Sequence, residues 1–180
     1  MKAPPSSSRG PRRATLAGFL GLLLAAGCGY SSGFQVAGEP RSIGVEIFGN
    51  ESPERDLEIP LQDELTRALR NLSNAAVESP SRADVVVRGS IRTYHRRSGI
   101  RNEDNIQLET GVTIEVDAAL YRRGSTVPER GPFRATESVG YLIGGAQDVI
   151  ELRRNEREAR ERALRHIAEE LVLDLLAPPE

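Results

Sequence analysis

Leu108-Glu109-Thr110-Gly111-Val112-Thr113-Ile114-Glu115-Val116-Asp117-Ala118-Ala119-Leu120-Tyr121 decides the fold of this chain. Leu108, Thr110, Val112, Ile114, Val116, Ala118 and Leu120 share one side of an extended backbone. Glu109, Gly111, Thr113, Glu115, Asp117, Ala119 and Tyr121 share the other, because successive side chains in a strand point to opposite faces. A strand this long with one apolar side and one polar side belongs to an antiparallel sheet that is covered on one face only.

Its neighbours carry the same period. Upstream, Val85, Val87, Gly89 and Ile91 oppose Arg88, Ser90, Arg92, Tyr94 and Arg96, which predicts a strand over residues 83–97 ending in a polar loop over 98–105. Downstream, Gly124 and Pro128 punctuate a connection. Phe133, Ala135, Glu137, Val139, Tyr141 and Ile143 then predict a third strand, interrupted on its apolar side by Glu137 and ended by Gly144-Gly145. Short connections between three successive strands require an antiparallel meander.

Residues 42–48 alternate with Ile43, Val45 and Ile47 on one side and predict a further strand, broken by Gly49-Asn50-Glu51-Ser52-Pro53. Leu61, Leu65, Ala68, Leu69 and Leu72 then recur at helical spacing, with Pro60 tolerated in the first turn and Asp63 and Glu64 complementing the helix dipole. A second helix is expected to start near Asp148, which forms an Asp-x-x-Glu capping box with Glu151. Its first half is nearly all charged, with Glu156 and Arg160, Glu158 and Arg162, and Glu161 and Arg165 at the favourable i,i+4 spacing. Its second half carries Ala163, Leu164, Ile167, Ala168, Leu171, Leu175 and Leu176, so that half packs while the first half projects or lies in water. The order β-α-β-β-β-α predicts an α+β two-layer sandwich: a largely antiparallel sheet, two helices on one face, and an uncovered face as the working surface.

The N-terminal region is an address. Lys2, Arg9, Arg12 and Arg13 precede an apolar stretch over 14–26, too short to span a bilayer, which needs roughly 20 residues. This is a secretory leader over residues 1–27. Leu24-Ala25-Ala26-Gly27-Cys28 resembles the lipobox of bacterial lipoproteins, with Ala25 where Leu is commoner. The only cysteine, Cys28, is therefore the expected lipid attachment site, carrying a diacylglycerol on its thiol and an acyl chain on its amine. Several chains anchor stably where one binds marginally. Gly29, in place of Asp, resembles the sorting pattern for the outer membrane, on its periplasmic side. Residues 28–41 form a lipidated tether, 42–177 a single domain, and 178–180 a disordered tail after Pro178-Pro179. No cofactor is expected beyond the acyl chains.

Composition narrows the function. The leader holds four of the 24 basic groups and none of the 26 acids, so the remainder is acidic by about six charges and is no general polyanion binder. With aromatics at 4% there is little to stack on bases, and nucleic acid is not an expected partner. His95 and His166 lack metal-ligand spacing, and the chain holds no Gly-x-Ser-x-Gly, phosphate loop or His-Glu-x-x-His. No catalytic or metal site is assigned. Glu115 and Asp117 share a strand face but are better explained as partners of Arg88.

Turn geometry suggests cross-strand partners. A loop centred near residue 102 sets Arg88 opposite Glu115 or Asp117, and Arg96 opposite Gln107 or Glu109, which neutralises both. Arg92 would face uncharged Gly111 or Thr113, with Arg97 and Arg101 at the loop end and Arg134 near Ala119 or Asp117. A phosphate would find arginines there with hydroxyls nearby.

Cys28-Gly29-Tyr30, Gly33-Phe34, the strand closing on Phe48-Gly49-Asn50, the helix around 61–72, and Ala83-Asp84 leading into Gly89-Ser90-Ile91 together resemble the LPS-assembly lipoprotein family LptE, over nearly the whole mature chain. The resemblance implies a non-enzymatic lipoprotein that plugs the outer-membrane barrel LptD, helps that barrel assemble and binds lipopolysaccharide in transit. On that reading Arg92, Arg96, Arg97 and Arg134 are the candidates for contact with lipopolysaccharide. The alternative is an envelope lipoprotein with a fold like the TolB N-terminal domain that activates a peptidoglycan synthase, since its first strand and helix look much like residues 45–72. A tether of about a dozen residues at roughly 3.5 Å each has a short reach, and three strands in succession are unlike a strand and helix alternation. Both favour the first reading. A small periplasmic hydrolase would need a buried polar constellation that the sequence does not display.

Overall fold

A computed structural model describes residues 41–97, 99–101, 103, 108–143 and 149–177. Residues 1–40, where the leader, Cys28 and the tether are expected, lie outside the described residues, as do Gly144-Gly145, Asp148 and the expected tail 178–180. The elements are β1 (Ser42–Val45), β2 (Gly49–Asn50), α1 (Glu58–Leu72), β3 (Ala76–Val77), β4 (Val85–Arg97), β5 (Glu109–Arg122), β6 (Pro128–Leu142) and α2 (Val149–Leu176).

The three long strands form the expected antiparallel meander, and the sheet runs β3-β1-β4-β5-β6 with β2 also on β4. β1 pairs with β4 in parallel, Ile43 beside Val85 and Val45 beside Val87, so α1 is the crossover that parallel neighbours require. The two-residue β3 adds a further parallel edge through Ser42 and Ile43. No alternating pattern announces so short a strand. It is held by backbone bonds to the chain around β1, where Ala76 donates to the Arg41 carbonyl at 3.0 Å and Glu78 to that of Ile43 at 3.0 Å.

The core lies between the sheet's inner face and the two helices. Leu61, Leu65 and Leu69 of α1 and Ala163, Ile167, Leu171 and Leu175 of α2 cover Ile43, Val87, Ile91, Val112, Ile114 and Val116. Three readings of the sequence need correction. The first concerns Ile47, expected inside but 63% exposed, because the chain turns after Val45 and buries Phe48 instead. The Phe48 ring lies where a Cβ on Gly89 would stand, 2.4 Å from its Cε1, so the glycine on β4 is the socket for the aromatic. Second, Gly49-Asn50 does not break the sheet but rejoins it beside Ser90 and Ile91. The third is the open face, which is not bare along its whole length. Pro80 and Ala83 lie against Gly44 there, and Val86 and Ala119 on that side are buried.

Glu137, the residue that interrupts the apolar side of β6, meets α2 at the margin of the core, where its Oε1 lies 3.3 Å from His166 Nδ1. The charged first half of α2 does not project freely either. Leu152 packs on the core, and Asn155 donates to the Leu142 carbonyl at 3.1 Å, which caps the end of the outer edge of β6. Glu156, Arg160 and Arg165 take partners outside the helix rather than the expected i,i+4 ones.

Candidate functional site

The exposed part of the sheet face carries a lattice of charge. A bulge in β4 builds its centre. Ile91 pairs with Val116 and Thr93 with Glu115, so Arg92 is an extra residue between them. It leans over β5, where its Nε donates to Asp117 Oδ2 at 2.7 Å, and its Nη1 reaches back to Glu51 Oε1 at 2.5 Å. Arg134 arrives from β6, directly across from Asp117, donating from Nε at 2.7 Å while its Nη1 lies 3.0 Å from Glu115 Oε1. Two guanidinium groups thus converge on one carboxylate. Arg134 first, and Arg92 after it, hold the Asp117 carboxyl below the usual range against the opposing effect of its burial. Glu51 is lowered by Arg92 and by the Ser90 hydroxyl, which donates to it at 2.9 Å. Both arginine pKa values are pushed up in return, Arg92 chiefly by Glu51 and Arg134 chiefly by Asp117.

Arg134 thus stands where the sequence put it. Arg92 does not face uncharged positions, because the β4–β5 register differs from the estimate and the bulge turns its side chain. Arg88 lies opposite Ala119 rather than an acid, and its fork closes on Glu46 with two bonds of 2.9 Å while the group stacks over Tyr121. The bulge also inverts the faces beyond it. Tyr94 therefore turns inward, and Arg96, opposite Val112, follows it to the helix side, where its Nε donates to Glu156 at 2.7 Å. Glu156 also accepts from the Tyr94 hydroxyl at 3.0 Å, and burial followed by that carboxylate pushes the phenol pKa up. Arg97 remains on the open face opposite Gly111, with its Nη2 4.0 Å from Glu109. The four candidate arginines therefore divide: Arg92, Arg97 and Arg134 on the open face, and Arg96 behind it.

The acids that the sequence reading missed, Glu46, Glu51 and Glu54, come from the first strand and the turn after it. A signal for them existed. Each precedes its arginine, Arg88, Arg92 or Arg96, by the offset at which Ile43 precedes Val85, within one residue, which is the pattern of a parallel register with complementary charge.

Among the described residues, no group of three or more His, Cys, Asp or Glu is placed to hold a metal, and no helix is long and apolar enough to cross a membrane. Among the described residues, two of the motifs behind the family resemblance shape the fold. Asn50 accepts from the Ser52 amide at 3.0 Å and donates to the Glu54 carbonyl at 2.8 Å, shaping the turn that carries Glu51 and Glu54. Asp84 accepts from the Arg41 amide at 3.1 Å and the Ser42 hydroxyl at 3.3 Å, while Ala83 is fully buried.

A mixed sheet backed by two helices, with a charged open face, defines a small two-layer α+β domain. Residues 41–175 match the family model LptE, lipopolysaccharide-assembly, and the chain belongs to that family. Among curated proteins none matches it. Solved structures similar to it include a putative lipoprotein from Caulobacter crescentus CB15 at 17% identity, covering 74% of this chain and 93% of that one with a TM-score of 0.47. A minor lipoprotein from Acinetobacter baumannii is 16% identical, covering 76% and 91% with a TM-score of 0.48. The rare lipoprotein B from Shewanella oneidensis is 16% identical, covering 73% and 90% with a TM-score of 0.46.

Proposed function

We propose that this chain is a non-enzymatic outer-membrane lipoprotein, acylated at Cys28, that sits as plug and assembly partner in a β-barrel of the LptD type and binds lipopolysaccharide during its delivery to the surface. The observation that carries the reading is the family match over residues 41–175. The geometry supports it from a second side. The open face is polar and its charges are paired across β4, β5, β6 and the segment after β1, which suits a water-lined barrel lumen. Lipopolysaccharide phosphate is expected to contact Arg92, Arg97 and Arg134 there by displacing Glu51, the most exposed of the lattice acids, while Arg96, held on the helix side by Glu156, stays out of that contact.

A detergent pulldown from outer membranes tests the partnership. A stoichiometric large β-barrel is the expected companion; retrieval of a murein synthase instead would turn the assignment to the TolB-like alternative, and retrieval of neither would sink both. The contact is tested by Arg92→Gln together with Arg134→Gln. Glutamine is preferable to charge reversal because Glu51, Glu115 and Asp117 would repel any added acid. Lipopolysaccharide affinity should fall about tenfold with the fold intact, and unchanged affinity would place the contact elsewhere.

A further inference from the structure

On the helix side, the end of β4, the turn after β2 and the first half of α2 border an open groove of about 200 Å3 lined by Glu54, Arg96, Arg153, Glu156, Arg157 and Arg160. Four cations face two acids. Both acids are committed: Glu156 to Arg96 at 2.7 Å and Tyr94 at 3.0 Å, Glu54 to Arg96 at 3.4 Å and Arg160 at 3.3 Å. Those bonds give Arg96 two acidic partners and Arg160 one. Arg153 and Arg157 line the same groove, are exposed, and have no acidic partner among the described residues.

Helix stability does not account for their placement. Arg153 and Arg157 stand one turn apart on α2, with Arg160 next along the same stripe, and like charges at that spacing repel. Arg154, one position away, shows the ordinary solution, lying 3.9 Å from both Glu151 and Glu158. The stripe that faces the groove therefore carries a local electrostatic cost that its neighbour avoids, and such conflicts mark functional sites.

We propose that this groove binds a phosphate-class dianion. The surplus of two positive charges matches the ligand, and guanidinium forks suit phosphate oxygens. Arg153 and Arg157 are the recognising groups, while Arg96 and Arg160, fixed by Glu54 and Glu156, form a preset floor. The phosphate is either free in solution or borne on a lipid headgroup. The proposal stands apart from the barrel partnership and from the open face.

The test uses the full chain in detergent. Inorganic phosphate is titrated by calorimetry, and retained phosphatidic acid is compared with phosphatidylcholine by native mass spectrometry. At least one phosphate probe is expected to bind, with affinity falling about tenfold in Arg153→Gln with Arg157→Gln. It should be retained in Arg92→Gln with Arg134→Gln. The thermal midpoint of the Arg153 and Arg157 double variant should equal or exceed that of the parent, since a repulsive pair has been removed. Binding of the free ion alone or of the lipid alone identifies the source. Binding of neither probe, undiminished binding in the Arg153 and Arg157 variant, or equal loss in both double variants overturns the proposal, whatever the pulldown returns.

Discussion

Asp117 concentrates the electrostatics of the sheet in one side chain. Its Oδ1 accepts from Arg134 Nε at 2.7 Å, and its Oδ2 from Arg92 Nε at 2.7 Å and Arg134 Nη2 at 3.2 Å. The carboxyl therefore titrates lower in the folded protein than in the unfolded chain. The stability this brings is fully present above the unfolded value of about 4, and it is lost as pH falls through the lowered folded-state value. Asp117→Asn should cost about 1 kcal/mol at neutral pH, since both arginines are substantially exposed and solvent screens them. It should also flatten the acid limb, so that variant and parent begin to approach one another below about pH 4 and converge once pH has fallen through the lowered folded-state value. Urea unfolding at a series of acid pH values measures both, and curves that stay parallel would show that Asp117 does not carry the acid response.

The bulge in β4 decides which side chains each face receives. Deleting Arg92 would place Thr93 directly after Ile91, still opposite Glu115, and leave Tyr94 turned inward. That deletion should therefore fold, with stability within about 1 kcal/mol of the parent after the loss of two exposed ion pairs. Deleting Thr113 from the regular middle of β5 would turn one end of that strand inside out, and should prevent cooperative folding. Thermal unfolding followed by tyrosine fluorescence separates the two, and equal damage from both would remove the bulge from this role. The same element shows what could be read beforehand. Strict alternation in residues 108–121 located β5, and with it the meander. Helical spacing located α1 and the packed half of α2. The bulge was not legible, because Ile91-Arg92-Thr93-Tyr94 continues a plausible alternation with Tyr94 outside; only the burial of Tyr94 against Glu156 shows where the register slips. For the candidate site the consequence is direct: alternation alone sets Arg134 beside Asp117, whereas the bulge gives Arg92 and Arg96 neighbours that alternation does not predict.

At the scale of the whole molecule, the proposed anchor and the folded domain make separate predictions. Cys28→Ser should abolish incorporation of labelled palmitate, and persistent labelling would refute acylation at that residue. The domain itself closes late in the chain. Ala159, Ala163, Ile167, Leu171 and Leu175, all fully buried, come from the final element and cover the inner face of β5 and β6. A ribosome or a translocation channel delivers this chain from its N-terminus, so every strand of the sheet emerges before the helix that shields it. Until α2 follows, Val112, Ile114 and Val116 present a continuous apolar strip to water, and a holding chaperone has its natural window of engagement then.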